Sequence, residues 1–137
     1  MNKKIVSACL AGFQCRFDCA SKERADIRLM VEKGEAIAVC PEQMGGLPTP
    51  RTPAEQIGDK IISKTGTDVT LQYELGAQQA LKMAELTGAT EAYLKSRSPM
   101  CGAGQIYDGT FSGTLVEGDG VFTKLLKAKN IKVIAVD

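Results

Sequence analysis

The architecture of this chain is clearest in the segment Val39-Cys40-Pro41-Glu42-Gln43-Met44-Gly45-Gly46-Leu47-Pro48-Thr49-Pro50-Arg51. The apolar run just before it, Ala36-Ile37-Ala38-Val39, predicts a short buried strand. The strand ends at Cys40 because Pro41 disfavours further pairing, and the glycines and prolines that follow are typical of a loop. A thiol therefore lies at the carboxyl end of a strand, with the Glu42 carboxylate two residues further on. In an open α/β sheet, ligands bind at that edge.

Two other cysteines occupy similar positions. Cys9 follows the run Ile5-Val6-Ser7-Ala8, and Cys101 lies in a loop of Gly, Pro and Ser just past Ala92-Tyr93-Leu94. Three thiolates delivered by three strand ends can bind Zn²⁺, iron or an iron–sulfur cluster. From the residues alone, the fourth ligand can be Cys15, Cys19 or a carboxylate, or the position can be open. An open position would suit catalysis, because substrate could then reach the metal.

The rest of the hydrophobic pattern alternates strands with helices. It predicts strands at 3–10, 36–39, 91–95 and 131–136, and helices at 22–33, 69–86 and 120–129, the first of them capped by Ser21. Residues 53–57 are interpreted as a single turn, and 61–64 as a short strand or hairpin arm. This order predicts one α/β domain over residues 1–137, a three-layer sandwich with a mostly parallel, Rossmann-like sheet and cysteines at the strand ends.

Composition narrows the possible functions. The 137 residues carry a formal net charge of +1 and no Trp, which argues against a nucleic-acid partner, and no apolar run approaches the roughly 20 residues that a membrane span requires. There is no His, so Cys–His nucleophilic pairs and mixed Cys/His zinc sites are excluded. Five cysteines, an odd number, argue against a disulfide framework. We expect a cytoplasmic protein.

Several polar residues lie in the same predicted loops as the cysteines. Glu42 is either a solvated loop carboxylate or a proton donor or acceptor beside a metal site. Ser98 either stabilises its own turn or hydrogen-bonds a ligand. Arg16 and Arg51 are either surface charges or groups that bind an anion or a planar heterocycle. The backbone N–H near Gly102 can approach a ligand closely.

Taken together, six sequence blocks resemble the thiouracil desulfurase family, and the resemblance covers nearly the whole chain. The Cys-Pro-Glu and Ser-Pro-x-Cys-Gly blocks are specific when they occur together. The blocks are Ser7-Ala8-Cys9-Leu10, Cys15-Arg16-Phe17-Asp18, Cys40-Pro41-Glu42-Gln43-Met44-Gly45-Gly46-Leu47-Pro48-Thr49-Pro50-Arg51, Asp68-Val69-Thr70, Leu94-Lys95-Ser96-Arg97-Ser98-Pro99-Met100-Cys101-Gly102 and Tyr107-Asp108-Gly109-Thr110-Phe111.

This resemblance implies a [4Fe–4S] cluster held by Cys9, Cys40 and Cys101, with the fourth iron free to bind the sulfur of a thiolated substrate such as 2-thiouracil. Water would replace the sulfur without net redox change, releasing uracil and sulfide. The resemblance also implies proton handling by Glu42 and a contact between Ser98 and the substrate or cluster. Residues expected to bind substrate are Arg16, Arg51 and Gly102. We expect a monomer or homodimer whose partner is a small thiolated molecule.

Two positions depart from the family pattern. Cys19 stands where the family usually has glycine, and Met100 replaces a small residue before the last cysteine. Cys19 could cap the cluster, and Met100 could narrow the pocket. Two further functions therefore stay open: a sensor module whose metal site is closed by Cys15 or Cys19, and a metal-free thiol protein that carries sulfur.

Overall fold

The computed structural model describes residues 3–137, so the first two residues of the predicted 1–137 domain lie outside the described part. Within the described part, eight strands and four α-helices follow one another. They are β1 (Lys4–Ser7), α1 (Ala25–Glu32), β2 (Ala36–Val39), α2 (Pro41–Met44), β3 (Ala54–Ile57), β4 (Lys60–Ser63), α3 (Thr70–Thr87), β5 (Glu91–Lys95), β6 (Gln105–Tyr107), β7 (Leu115–Glu117), α4 (Val121–Ala128) and β8 (Lys132–Val136).

The central sheet has four strands in the order β2-β1-β5-β8, and every pairing in it is parallel. Ile5 of β1 pairs with Ile37 of β2 on one side and with Ala92 of β5 on the other. The strands β2 and β5 have the bounds that their apolar runs predict. The predicted α/β class with a parallel sheet is confirmed.

The sheet separates two hydrophobic cores, as a three-layer arrangement requires. Side chains alternate across a strand, and Ile5 and Val6 accordingly belong to different cores. Ile5 packs in the core that contains Ala80 of α3 and Phe122 of α4. Val6 packs in the core that contains Ile27 of α1. Helices therefore cover both faces of the sheet.

The chain turns in opposite directions from its first strand. From β1 it passes through α1 to β2 on one side, and it later returns through α3 to β5 on the other side of β1. The carboxyl ends of β1 and β5 therefore flank a topological switch point, where open parallel sheets leave a crevice for ligands. This topology places the segments after β1, β2 and β5 at one edge.

Three local predictions were wrong. The first strand ends at Ser7, because residues 8–11 form a 3₁₀ turn whose apolar side chains are buried like those of a strand. The first helix begins at Ala25 with Arg24 as N-cap and without a capping side chain, so Ser21 does not cap it. Residues 53–57 are not a single turn: β3 pairs antiparallel with β4.

Two features were missing from the predicted pattern. The loop after Cys40 begins with a one-turn helix, α2, which has Pro41 at its first position. Proline is tolerated there because the N–H groups of a first helical turn have no partner within the helix. A second antiparallel hairpin joins β6 to β7. None of the helices within residues 3–137 has the length and apolar character that a membrane span needs.

Candidate functional site

A cavity of about 450 Å³ opens where the loops after β1, β2 and β5 meet. Its lining includes Cys9, Cys40 and Cys101, the three thiols that the sequence predicts at strand ends. Cys9 and Cys101 are only 8% and 4% exposed and pack at the edges of the two hydrophobic cores, and both also line this cavity. The volume falls within the ~300–1,000 Å³ that is usual for small-molecule sites. The fold thus brings together three thiols that are distant in sequence.

Cys101 is held by hydrogen bonds from three directions. Its backbone N–H donates to Ser98 Oγ at 2.7 Å, and its carbonyl accepts from Thr123 Oγ1 of α4 at 3.0 Å. Its thiol also hydrogen-bonds Ser7, whose Oγ accepts the backbone N–H of Lys95 at 2.9 Å. The side chain of Ser98 therefore stabilises the turn that presents Cys101 to the cavity.

Cys40 is positioned by close packing of α2 on α3. A Cβ atom at Gly76 of α3 would overlap the carbonyl oxygen of Pro41, and a Cβ atom at Gly45 would overlap the carbonyl oxygen of Gln72. The two helices therefore touch backbone to backbone, which only glycine permits at these positions. Close packing is therefore the reason that position 45 is a glycine. The same contact determines where the segment from Cys40 to Glu42 lies.

Cys15 is a fourth thiol in the same cavity. It is 6% exposed and lines the cavity beside Cys40, whose Sγ lies 3.7 Å from the Cys15 carbonyl oxygen. The interaction between the two neighbouring thiols lowers the pKa of Cys40 and raises the pKa of Cys15. Cys40 is thus the thiol that loses its proton more easily. Metal ligands must be deprotonated, and Cys40 meets that condition more readily than Cys15.

The pKa values of Cys9 and Cys101 are raised, whereas that of Cys40 is lowered. Burial raises the pKa of Cys9 to about 11, and the negative charge of Glu42 adds to the effect. Burial likewise raises the pKa of Cys101 well above its ordinary value, again with a contribution from Glu42. Bare thiolates are therefore disfavoured at both positions. A positively charged inorganic centre would supply the compensation that these thiolates need.

Glu42 lines the cavity from the first turn of α2, and Arg51 holds it there. Arg51 Nη2 lies 3.3 Å from Glu42 Oε2 and 3.0 Å from the Cys15 carbonyl oxygen. Arg51 Nη1 donates to the Pro48 carbonyl oxygen and to Thr49 Oγ1. Both terminal nitrogens of Arg51 therefore already bond protein groups, and this arginine braces Glu42.

The other predicted site residues divide between the cavity and its surroundings. Ser98 and Arg16 line the cavity, and Arg16 is paired with Asp18 at 3.8 Å. Gly102 is not among the lining residues. Its N–H donates to the Ser98 carbonyl oxygen at 2.8 Å, and a Cβ atom there would lie 2.7 Å from that same oxygen, so close packing explains this glycine.

The two departures from the family pattern lie away from the cavity. Cys19 is exposed and does not line it, so a site closed by Cys19 finds no support in the structure. Met100 is fully buried in the core that contains Phe122 and likewise does not line the cavity. The expected narrowing of the pocket by Met100 is therefore wrong.

Several residues that line the cavity have no site role predicted from the sequence. A strand residue, a helix residue and a hairpin residue reach it through tertiary packing alone, and no local pattern marks them. They are Ser7, Tyr73 and Glu55, together with Lys95 at the end of β5. Ser7 and Lys95 lie at the carboxyl ends of adjacent strands, and this position was the one signal that could have identified them.

The donor set suits an iron–sulfur cluster. Within residues 3–137, no three His, Cys, Asp or Glu side chains converge closely enough to hold a single metal ion. A cluster does not require that convergence, because each of its irons takes a separate thiolate. Cys9, Cys40 and Cys101 supply soft ligands around one cavity, and Cys15 supplies a further thiol. All five cysteines of the described chain are free.

The fold and the site together define the class of this protein. It is an α/β protein with a parallel sheet and a cysteine-lined binding site at the topological switch point between β1 and β5. The chain belongs to the 2-thiouracil desulfurase family, whose model matches residues 5–137. The similarity therefore includes every residue that lines the cavity.

Two relatives span almost the whole chain. The uncharacterized protein YbbK of Bacillus subtilis (strain 168) is 41% identical over 141 residues, covering 96% of this chain and 93% of that protein. The solved structure of the [4Fe-4S]-dependent thiouracil desulfidase TudS is 42% identical and superposes with a TM-score of 0.93, covering 98% of this chain and 91% of that one.

Proposed function

We propose that this protein is a desulfurase that removes sulfur from a thiolated nucleobase such as 2-thiouracil, with a [4Fe–4S] cluster held by Cys9, Cys40 and Cys101. The observation that carries the proposal is that these three thiols, from three strand ends, line one cavity. Membership of the 2-thiouracil desulfurase family and the likeness to a [4Fe-4S]-dependent desulfidase support it. Reduced thiols persist in the cytoplasm, where we expect the enzyme to act.

The overall reaction needs water but no oxidant or reductant. One C–S bond breaks, a C–O bond forms at the same carbon, and the sulfur leaves with the bonding electrons as sulfide. When bound, the cluster supplies an iron without a protein ligand, a Lewis acid that can accept the substrate sulfur. The protein must therefore exclude competing ligands, orient the ring and move protons.

We assign the proton transfer to Glu42. Its carboxylate lines the cavity and is fixed by Arg51 at 3.3 Å, so it can take a proton from the attacking water and return one to the leaving sulfur or to a ring nitrogen. Ser98 Oγ accepts the N–H of Cys101, and its own hydroxyl proton is left to donate to substrate. Arg16 lines the same cavity and supplies positive charge.

Anaerobic reconstitution with iron and sulfide, followed by incubation with 2-thiouracil, tests this function. We expect the reconstituted protein to release uracil and sulfide in equal amounts over many turnovers, and metal-free protein to release neither. Sulfide release by metal-free protein would indicate a thiol sulfur carrier instead. Reconstituted protein that releases no sulfide from any thiolated pyrimidine would contradict the desulfurase function.

A second candidate, a closed cluster in a sensor module, is favoured by one observation: Cys15 lies in the same cavity as the three proposed ligands. Substitution of Cys15 distinguishes the two functions. A desulfurase with an open iron keeps its cluster in Cys15→Ser, whereas a closed site loses it. Cys19→Ser is the matched control, because this thiol is exposed and outside the cavity.

A further inference from the structure

The second hairpin, β6–β7, is fastened to the first hairpin, β3–β4, by one buried carboxylate. Glu55 of β3 is 7% exposed, and its Oε1 accepts the backbone N–H of Gly109 at 2.9 Å and that of Phe111 at 3.1 Å. Hydrogen bonds from backbone N–H groups to a buried carboxylate are among the stronger ones in proteins. A residue 54 positions earlier in the chain therefore determines where the tip of the second hairpin lies.

Close packing at the same point leaves the hairpin tip little freedom. A Cβ atom at Gly109 would lie 2.9 Å from the carbonyl oxygen of Gln56, so the two hairpins touch there. Phe111 has a φ of 56°, a left-handed conformation that a bulky side chain adopts only when its surroundings impose it. In this conformation the Phe111 N–H donates to Glu55 Oε1, so the hydrogen bond favours it.

The result of this fastening is an aromatic wall in the cysteine-lined cavity. Phe111 lines the cavity together with Tyr107 of the same hairpin, and Glu55 lines it beside them. Both aromatic side chains are half-buried, so each leaves part of its surface for a ligand. Aromatic side chains bind planar nucleobases by stacking, whatever the base.

We propose that Phe111 is the residue that selects a planar thiolated ring as substrate, and that Glu55 is the positioning residue that holds Phe111 in the cavity. This inference rests on the proposed desulfurase function and adds the residue that recognises the substrate ring and the residue that positions it. The ring contacts Phe111, while the sulfur is directed to the cysteine side. Loss of the aromatic face weakens binding of every planar ring and leaves binding of small acyclic thio compounds unchanged.

Steady-state kinetics of the anaerobically reconstituted enzyme test the inference, with 2-thiouracil as substrate and uracil and thiourea as inhibitors. Uracil has the ring without the sulfur, and thiourea has the sulfur without the ring. For Phe111→Ala we expect the KM for 2-thiouracil and the Ki for uracil to rise roughly 5- to 150-fold, the range that one base–aromatic stack supports. The kcat, the iron content and the Ki for thiourea should stay near their wild-type values.

Glu55 should act through Phe111, and a double-mutant cycle measures this. We expect Glu55→Ala to raise the KM for 2-thiouracil and the Ki for uracil, and Glu55→Gln to bring both constants most of the way back to wild type. In the double variant Glu55→Ala/Phe111→Ala, both constants should be no higher than in Phe111→Ala alone. Glu117→Ala, an exposed carboxylate on β7, is the matched control and should resemble wild type. Phe111→Tyr should retain ring binding.

The outcomes separate this inference from the function on which it rests. If wild-type enzyme desulfurises 2-thiouracil but Phe111→Ala leaves its KM and the uracil Ki unchanged, the inference is overturned while the function stands. Equal weakening of thiourea and uracil, or fully additive effects of Glu55→Ala and Phe111→Ala, would also overturn it. If wild-type enzyme releases no sulfide, the proposed function itself fails.

Discussion

Arg51 and Glu42 form an ion pair inside the cavity, with 3.3 Å between Nη2 and Oε2 and side chains that are only 7% and 18% exposed. The same guanidinium nitrogen binds the carbonyl oxygen of Cys15, so one side chain ties the proposed proton carrier to the loop after β1. The nitrogens of a planar guanidinium group point in fixed directions, and a lysine ammonium group cannot reproduce this geometry. This pairing leads to the first two predictions.

Substitution of Arg51 should both destabilise the protein and slow catalysis. Arg51→Met removes the charge and all four hydrogen bonds of this side chain, and removal of one partner of a buried pair costs about 3 kcal/mol. We expect a loss of that order in the free energy of unfolding, measured by urea denaturation of the metal-free protein. The exposed pair of Lys60 with Asp68 is the control, and Lys60→Met should cost less than about 1 kcal/mol. An equal effect of both substitutions would contradict the bracing role.

Glu42→Gln should abolish proton transfer without loss of the cluster. An amide has nearly the shape of the carboxylate but cannot take a proton from water, so we expect kcat to fall by roughly 10²- to 10⁴-fold. Iron content should match wild type, since Cys40 is untouched. Glu74→Gln, on the exposed face of α3, is the matched control and should leave kcat unchanged. A kcat within threefold of wild type would exclude Glu42 as the proton carrier.

Ser98→Ala should loosen the turn that presents Cys101. The substitution leaves the N–H of Cys101 without the acceptor that now lies at 2.7 Å, which costs about 1–3 kcal/mol. We expect lower thermal stability of the metal-free protein and faster loss of iron on exposure to air. Ser98→Thr keeps the hydroxyl and should restore both properties. If alanine and threonine behave alike, the hydroxyl does not support the turn.

Gly76→Ala tests the packing that places Cys40 and Glu42. Alanine would favour the helix by about 1 kcal/mol at an ordinary position, but here its Cβ would overlap the carbonyl oxygen of Pro41, and overpacking costs about 1–3 kcal/mol. We therefore expect net destabilisation and a displaced α2, visible as reduced iron loading. Gln79→Ala, exposed on the same helix, should be neutral or slightly stabilising. A stabilised Gly76→Ala would contradict the backbone contact.

The sheet could be predicted from sequence because each of its strands contains a run of apolar residues. Ala36–Val39 and Glu91–Lys95 have the bounds that their residues indicate, and parallel order follows from the alternation with helices. The first strand was predicted too long because Ala8, Cys9 and Leu10 are as buried as a strand although they form a 3₁₀ turn. Apolar character reports burial, and burial alone does not distinguish the two conformations.

One arm of the first hairpin was predicted at residues 61–64, where β4 lies, but the second hairpin and several residues that line the cavity could not be predicted. Strands β6 and β7 have three residues each, which is too short for the alternation of apolar and polar residues to be recognised. The place of their hairpin depends on Glu55, more than fifty residues away in sequence, and a lone glutamate in a short segment gives no sign of that partner. The cysteine positions could be predicted because strand ends meet at one edge, whereas Tyr73 and Glu55 reach the cavity through contacts that only the folded chain defines.

The central claim is that Cys9, Cys40 and Cys101 alone hold a cluster whose remaining iron is open to substrate. Its most direct test is the iron and sulfide content of the five single Cys→Ser variants after identical anaerobic reconstitution. We predict that Cys9→Ser, Cys40→Ser and Cys101→Ser retain little or no cluster, while Cys15→Ser and Cys19→Ser match wild type. Full cluster content in any of the first three, or its loss in Cys15→Ser, would contradict the account.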